Sequence, residues 1–212
     1  RMLEVGCGPG WGLDMISRLE ESSSFVGLDL SPKAIEFANK RSSNSQRLKF
    51  MQGDAEALPF GDAEFDVVLN IESSHNYPHP EKFFAEAVRV LKPGGYLVHA
   101  DMMTPSLRAQ VASIRNDLGH AVEWLADEDI SEWVRASIRT RMERNSFFRR
   151  TVRECVAMPG RLLIEPMMMN VYGNVFVQEQ NGFLSTLFRD QFNKVLNVDT
   201  YRLTVGRRRT AA

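Results

Sequence analysis

The sequence predicts an α/β fold of Rossmann-like type: a seven-stranded, mostly parallel sheet with helices on both faces and a helical cap after the fifth strand. Three observations carry this reading. The apolar run Leu3-Glu4-Val5 breaks directly into a glycine loop, Gly6-Cys7-Gly8-Pro9-Gly10. A second apolar run, Val26-Gly27-Leu28, ends in Asp29, nineteen residues after Gly10. Strand and helix patterns then alternate through the first hundred residues, which implies parallel strands joined by crossover helices.

In chain order, strands are expected at about 2–5, 24–29, 48–52, 65–70 and 96–101, and helices at about 11–20, 32–41 and 80–91. Ser31 suits an N-cap, with Pro32 at the first helical position. Phe83, Phe84, Ala87, Val88 and Leu91 recur at helical spacing, and Lys92-Pro93-Gly94-Gly95 ends that helix. From Thr104 the texture changes. Leu107, Val111, Ile114, Leu118, Val122 and Leu125 make one amphipathic stripe; Ile130, Trp133, Val134, Ile138 and Met142 make a second. Two consecutive helices are therefore expected over 104–153, as a cap inserted in a single domain of residues 1–212. Val171–Val177 and Asp199–Val205 read as closing strands, with 181–192 between them open as helix or loop.

Composition bounds the function. The chain has 212 residues, 43% of them hydrophobic, and a formal charge of −1. That is one globular domain, and the near-neutral balance argues against a nucleic-acid footprint. No apolar run is long enough to span a bilayer and no signal peptide precedes the first strand, so a cytoplasmic protein without integral membrane contact is expected. Cys7 and Cys155 form no disulfide pattern and read as reduced thiols. Association as a homodimer is left open. The arginines at 135, 139, 141, 144, 149, 150 and 153 read as a solvated face, an anionic ligand or membrane surface being the alternative. Met167-Met168-Met169 suits either a lipophilic pocket floor or core filling.

The glycine loop describes a nucleotide-type pocket. A dinucleotide site needs G-x-G-x-x-G, but Trp11 occupies the third glycine position here, and the Lys and Ser/Thr of a triphosphate loop are missing. An acid at the tip of the next strand stands where a ribose presents two hydroxyls.

Glu4-Val5-Gly6-Cys7-Gly8-Pro9-Gly10 followed by Asp29 resembles the first motifs of class I S-adenosylmethionine-dependent methyltransferases. The likeness continues through Gly53-Asp54-Ala55-Glu56-Ala57-Leu58-Pro59-Phe60, Phe65-Asp66-Val67-Val68-Leu69-Asn70 and Val90-Leu91-Lys92-Pro93-Gly94-Gly95-Tyr96. It covers about the first hundred residues. The resemblance implies S-adenosylmethionine as cofactor, with S-adenosylhomocysteine as product. It also implies helices ahead of the first strand that lid the cofactor, so the chain is expected to be N-terminally incomplete.

Under that resemblance the cofactor-binding set is Glu4, Gly6, Cys7, Gly8, Gly10, Asp29, Leu30, Asp54, Ala55, Asn70 and Ile71. Glu4 would hold the ammonium of the methionine moiety, since an acid inside a buried strand is costly without a cationic partner. Asp29 would accept both ribose hydroxyls. Asp54 would accept from the adenine amino group, with the Ala55 amide against a ring nitrogen; the plain alternative is a turn aspartate.

Substrate chemistry is expected after the fourth strand, at the carboxyl ends where open α/β sheets bind ligands. Asn70-Ile71-Glu72-Ser73 differs from the Asn/Asp-Pro-Pro-aromatic signature of base N-methyltransferases. His75 is the candidate base for a hydroxyl, because a neutral imidazole near pH 7 can take its proton. Asp101, closing the fifth strand, would orient the ring or share the role. The alternative for His75 is a loop histidine bonded to backbone. His79 reads as a cap and His99 as structural. Glu-Ser-x-His with Ala-Asp is similar to natural-product sugar O-methyltransferases that use no metal. Phe65–His79 is closer still to phthiotriol/phenolphthiotriol dimycocerosate methyltransferases, which methylate a polyketide-lipid hydroxyl. The resemblance thus implies O-methylation of a small lipophilic acceptor and no metal. The alternatives are a C-methyltransferase of sterol or tocopherol type, with Glu72 and Tyr77 steadying a cation, and a non-catalytic cofactor-binding partner.

Overall fold

The computed structural model of the chain describes residues 1–42, 45–142 and 200–210. It contains a seven-stranded sheet with the order β3-β2-β1-β4-β5-β7-β6. The first four strands are β1 (Met2–Val5), β2 (Phe25–Asp29), β3 (Leu48–Gln52) and β4 (Phe65–Ile71). They are followed by β5 (Leu91–Met103), β6 (Val122–Asp129) and β7 (Thr200–Arg208). The pairs β1–β2, β2–β3, β1–β4 and β4–β5 are parallel, with Glu4 opposite Gly27 on one side and Leu69 on the other. β1 is thus a central strand with neighbours on both edges, and its residues Leu3 to Val5 are all buried.

The helices follow their sequence signals. In α1 (Trp11–Leu19), Gly10 at the N-cap is left-handed and offers no side-chain cap. In α2 (Pro32–Arg41), Ser31 Oγ accepts from the Ala34 amide and Pro32 fills the first turn, as expected. Leu13 from α1 and Ile35 and Ala38 from α2 bury against Phe25, Leu48 and Phe50 of β2 and β3. In α3 (Pro80–Val90), Phe83, Phe84, Ala87 and Val88 are buried. Leu91 belongs to β5 instead, so Lys92–Gly95 lies inside the strand. The register slips there, Phe65 pairing with Leu91 and Val67 with Tyr96. Gly94, at φ 81, takes the bend.

The region after β5 departs from the two-helix expectation. The first stripe is helical only through α4 (Pro105–Asp117). A 3-10 turn over Leu118–His120 stops it, and Val122 and Leu125 lie in β6 rather than in a helix. Trp124 is likewise on a strand, its indole N–H donating to Arg115 O at 2.9 Å. The helical period in the sequence ran across a real break, because Val122 and Trp124 also satisfy the alternation of a strand. The sixth strand is therefore Val122–Asp129, while the expected strand at 171–177 lies outside the described residues, as do residues 181–192, Cys155 and Met167–Met169. β7 lies where the closing strand was expected. Arg202 at its start pairs with Asp127, and Arg207 at its end with Glu123, so β6 and β7 run antiparallel.

The chain divides into two compact units, one of Arg1–Met102, Ser106–Glu128 and Arg202–Ala212, the other of Met103–Pro105 and Asp129–Tyr201. In the second, α5 (Ser131–Met142) is anchored by Ile130 N–H donating to Tyr201 O and Tyr201 N–H donating to Ser131 Oγ, both at 2.9 Å. The expected second helix reaches Met142; its continuation to 153 lies outside the described residues. No helix among the described residues is long and apolar enough to cross a membrane.

Candidate active site

The site is built at the carboxyl ends of β1, β2, β4 and β5. Gly6, Gly8 and Gly10 all adopt positive φ, at 74°, 52° and 73°. At Gly6 the need is steric as well: a Cβ there would lie 1.8 Å from Ser73 Oγ and 2.8 Å from the Tyr77 hydroxyl. The loop after β4 therefore packs directly onto the glycine turn after β1. Arg41, which sequence reading did not single out, fixes the far end of the turn. It donates to Gly10 O at 2.8 Å and lies 3.8 Å over the Trp11 ring.

Asp29 is tied into the same turn, accepting from the Gly8 amide at 2.7 Å and from the Ser31 amide at 2.9 Å. Asp54 accepts from the Glu56 amide at 2.9 Å, so the turn-aspartate geometry is present, and Ala55 beside it is buried. Leu30 and Ile71, at the ends of β2 and β4, are exposed. Cys7 is buried, and burial pushes its thiol well above the usual range.

Two buried oxygens in this region lack hydrogen-bond partners among the described residues: Glu4 Oε2 and Asn70 Oδ1. Glu4 is 6% exposed. Burial pushes its carboxyl up to about 7, with the Leu13 amide opposing and Asp29 adding to the rise. Asn70 spends its amide hydrogens on Val5 O at 2.8 Å and on the Tyr77 hydroxyl at 2.9 Å, which leaves the carbonyl oxygen free. Orphaned acceptors on adjacent central strands suit a ligand carrying an ammonium group, as the methionine moiety of S-adenosylmethionine does. This pair of acceptors therefore fits that cofactor.

The second half of the site centres on Asp101, fully buried on β5. Its Oδ1 faces His75 Nδ1 at 2.7 Å and accepts from the Met102 amide at 2.8 Å. Its Oδ2 accepts from Ser74 Oγ at 2.6 Å and from the His75 amide at 3.0 Å. Burial alone would raise this carboxyl, but the bonds from His75 and Ser74 outweigh it and hold it below its ordinary value. Asp101 in turn raises the His75 imidazole, against the effect of burial. Because an ionised carboxylate only accepts, His75 carries its proton on Nδ1. In the neutral ring Nε2 then accepts from Asn76 Nδ2 at 2.8 Å. Sequence reading placed His75 and Asp101 together, and they are together.

Glu72 adds a second carboxylate, in a left-handed conformation at φ 55. The loss of water around its carboxyl first, then Asp101, pushes it up to about 7, although the residue as a whole is exposed. Glu72, His75 and Asp101 are a group of metal-ligating types among the described residues. Asp101 already serves four donors, so a cation here would have to displace His75 or Ser74 from it. His79 occupies the N-cap position of α3, but its side chain makes no cap bond. His99 is buried inside β5 and bonds to Ser74 Oγ through Nε2 at 2.8 Å. Ser74 was not singled out from the sequence. The available signal was the two-residue spacing of His99 and Asp101, which puts both side chains on one face of the strand.

A methyltransferase domain family model matches residues 3–99. The chain is 51% identical over 102 residues to the phthiotriol/phenolphthiotriol dimycocerosates methyltransferase of Mycobacterium leprae (strain TN), covering 48% of this chain and 37% of that protein. It is 48% identical over 101 residues to the fatty-acid O-methyltransferase of Mycolicibacterium smegmatis (strain ATCC 700084 / mc(2)155), covering 48% and 36%. The matches thus span little more than a third of either relative's length. Among solved structures, the [4+2]-cyclase SpnF aligns with 100% of this chain and 76% of its own at a TM-score of 0.69 and 21% identity, a likeness of fold. With the glycine turn, the strand-end acid and the orphaned acceptors in place, residues 3–99 match the methyltransferase domain family, and S-adenosylmethionine is the cofactor that this match supports.

Proposed function

We propose that the chain is an S-adenosylmethionine-dependent O-methyltransferase whose acceptor is a hydroxyl on a lipophilic metabolite. The observation that supports it most is the 2.7 Å contact between His75 Nδ1 and Asp101 Oδ1, which leaves Nε2 as an acceptor at the carboxyl edge of the sheet. The two similar proteins, named for dimycocerosates and for fatty acids, support a lipophilic oxygen acceptor.

In this reading Glu4 Oε2 and Asn70 Oδ1 hold the ammonium of the cofactor, Asp29 its ribose, and Asp54 with Ala55 its adenine. The glycine turn Gly6, Cys7, Gly8 and Gly10 lies against it, with Leu30 and Ile71 at the rim. When bound, the cofactor supplies an electrophilic methyl on a sulfonium. His75 supplies the complementary chemistry: the acceptor hydroxyl takes the place of Asn76 at Nε2 and gives its proton to that nitrogen. Asp101 steadies the resulting imidazolium through the Nδ1–H bond, and Glu72 adds a nearby carboxylate. Holding hydroxyl and methyl in line supplies much of the remaining acceleration.

The test is transfer of label from methyl-labelled S-adenosylmethionine to a panel of long-chain diols, phenols and fatty acids, with His75→Gln alongside. Label appearing as an ether or ester, lost about 100-fold or more in His75→Gln, is expected. Label on carbon, or turnover indifferent to His75, would reject the O-methyl reading. Cofactor binding without transfer to any member would favour a non-catalytic role.

A further inference from the structure

Behind the His75–Asp101 pair lies a second layer that the proposed chemistry does not use. His99 Nε2 is 2.8 Å from Ser74 Oγ, and Ser74 Oγ is 2.6 Å from Asp101 Oδ2. All three residues are buried, at 0%, 1% and 0% exposure, and Phe84 meets the His99 ring edge-on with centroids 5.1 Å apart. Proton bookkeeping fixes the direction of this chain. Asp101 is acceptor-only, so the single Ser74 hydroxyl hydrogen points to it. Ser74 Oγ must then accept from His99, whose proton sits on Nε2. His99 Nδ1 is left bare, and it has no hydrogen-bond partner among the described residues.

We infer that His99, acting through Ser74, is a positioning residue that locks the Ser74 hydroxyl onto Asp101 and thereby sets the tautomer and basicity of His75. The inference rests on the reading of His75 as the base. A doubly donating chain, His99 to Ser74 to Asp101, lets the carboxylate share its charge inward, which moderates its pull on His75 Nδ1–H. A neutral ring does this without placing a positive charge beside Asp101. Burial keeps it so, pushing His99 down to about 4, with Asp101 opposing and Arg115 assisting. The groups facing His75 are Asp101 and Glu72; those facing His99 are Asp101 and Arg115 from α4. The Ser74–His75 neighbours on the loop after β4 thus connect the positioning layer to the His75–Asp101 pair along one face of β5.

The experiment is nitrogen-15 correlation spectroscopy of the imidazole rings in the intact chain, followed through a pH titration. There are four histidines, so single replacements assign them. The wild-type spectrum should show His99 as the Nε2–H tautomer throughout and His75 as Nδ1–H when neutral; His99 as Nδ1–H would overturn the inference without any core substitution. Ser74→Ala should raise the His75 midpoint by on the order of half a pH unit or more, since Asp101 then bears its charge on fewer donors. His99→Leu should move it the same way, and His99→Gln, which keeps a donor near Nε2, should return it. An unmoved His75 midpoint in Ser74→Ala overturns the inference. The base reading is tested separately by His75→Gln in the transfer assay: full turnover there rejects the base while the ring spectra still decide the relay.

Discussion

The Gly8 amide donates to Asp29 Oδ2 at 2.7 Å, joining the two halves of the cofactor signature directly to each other. The acid that ends β2, proposed above to hold the ribose, thus also pins the glycine turn from which β1 hands over to α1. Ser31, the N-cap of α2, donates to the other oxygen at 2.9 Å. Loop, acid and helix start form one unit.

Asp29→Ala should therefore weaken S-adenosylhomocysteine binding by more than a lost ribose contact alone. Hydrogen bonds to a charged group are worth roughly 1.5–3 kcal/mol, so a loss of about 10- to 100-fold in affinity is expected, together with a lower melting temperature in the absence of ligand. Calorimetric titration and a thermal scan read the two effects. A binding loss with unchanged apo stability would mean that the Gly8 bond carries no structural weight.

The glycines of the turn should respond unequally. At Gly6 an added methyl collides with Ser73 Oγ at 1.8 Å, in a backbone with φ 74. At Gly8 the methyl meets nothing within 4 Å, so only the left-handed backbone is unfavourable, at about 1–2 kcal/mol. Gly6→Ala should abolish cofactor binding and destabilise the fold strongly, whereas Gly8→Ala should fold with a melting point a few degrees lower. Ser73→Gly in the Gly6→Ala background, which removes both the Oγ and the Cβ that lies 2.5 Å from the added methyl, should recover part of the loss. Equal effects at both positions would place the constraint in backbone strain rather than in packing of the loop after β4.

Legibility in the sequence follows physical locality. β1 through α3 and the glycine turn with its strand-end acid could be read because strand periodicity, Ser31-Pro32 capping and the Gly6–Gly10 loop are local signals. β6 could not, because the apolar spacing from Leu107 to Leu125 keeps a helical period across Leu118–His120. Gly119 was the one local hint of the break. The pairing of His75 with Asp101 was accessible through the rule that ligands gather at strand carboxyl ends. Ser74, His99 and Arg41 were not, since their roles arise only when residues 25 to 31 positions apart are packed together.

The His75 imidazole is held above its ordinary value of 6.5 by the Asp101 bond. A base works only when unprotonated, so the rate of methyl transfer should rise with pH along a limb whose midpoint lies above 6.5. The sign for stability is the reverse. A raised folded-state value means the charged pair contributes fully below the unfolded value and is lost as pH rises through the folded one. Asp101→Asn should move the limb to lower pH while reducing the plateau rate, because the imidazolium loses its partner. A limb that stays put in Asp101→Asn would remove Asp101 from the role of partner.

With Glu4 as the proposed holder of the ammonium, cofactor binding should be a proton-linked event. Its carboxyl sits at about 7 in the free protein, chiefly through burial, and an ammonium at Oε2 requires the ionised form. Binding must then expel the proton that Glu4 holds below that pH. S-adenosylhomocysteine affinity should fall about tenfold for each pH unit below 7 and level off above it, with close to one proton released per ligand at pH 6. Titration in buffers of different ionisation heats measures that release. The free protein should behave oppositely, since a raised carboxyl favours folding below its ordinary 4.5 and that advantage disappears as pH climbs through 7. Glu4→Gln should flatten both slopes and bind more weakly at pH 8, where the wild-type carboxylate is charged. A Glu4→Gln variant with wild-type affinity at pH 8 and an unchanged proton release would place the ammonium elsewhere, with Asn70 Oδ1 as the remaining orphaned acceptor.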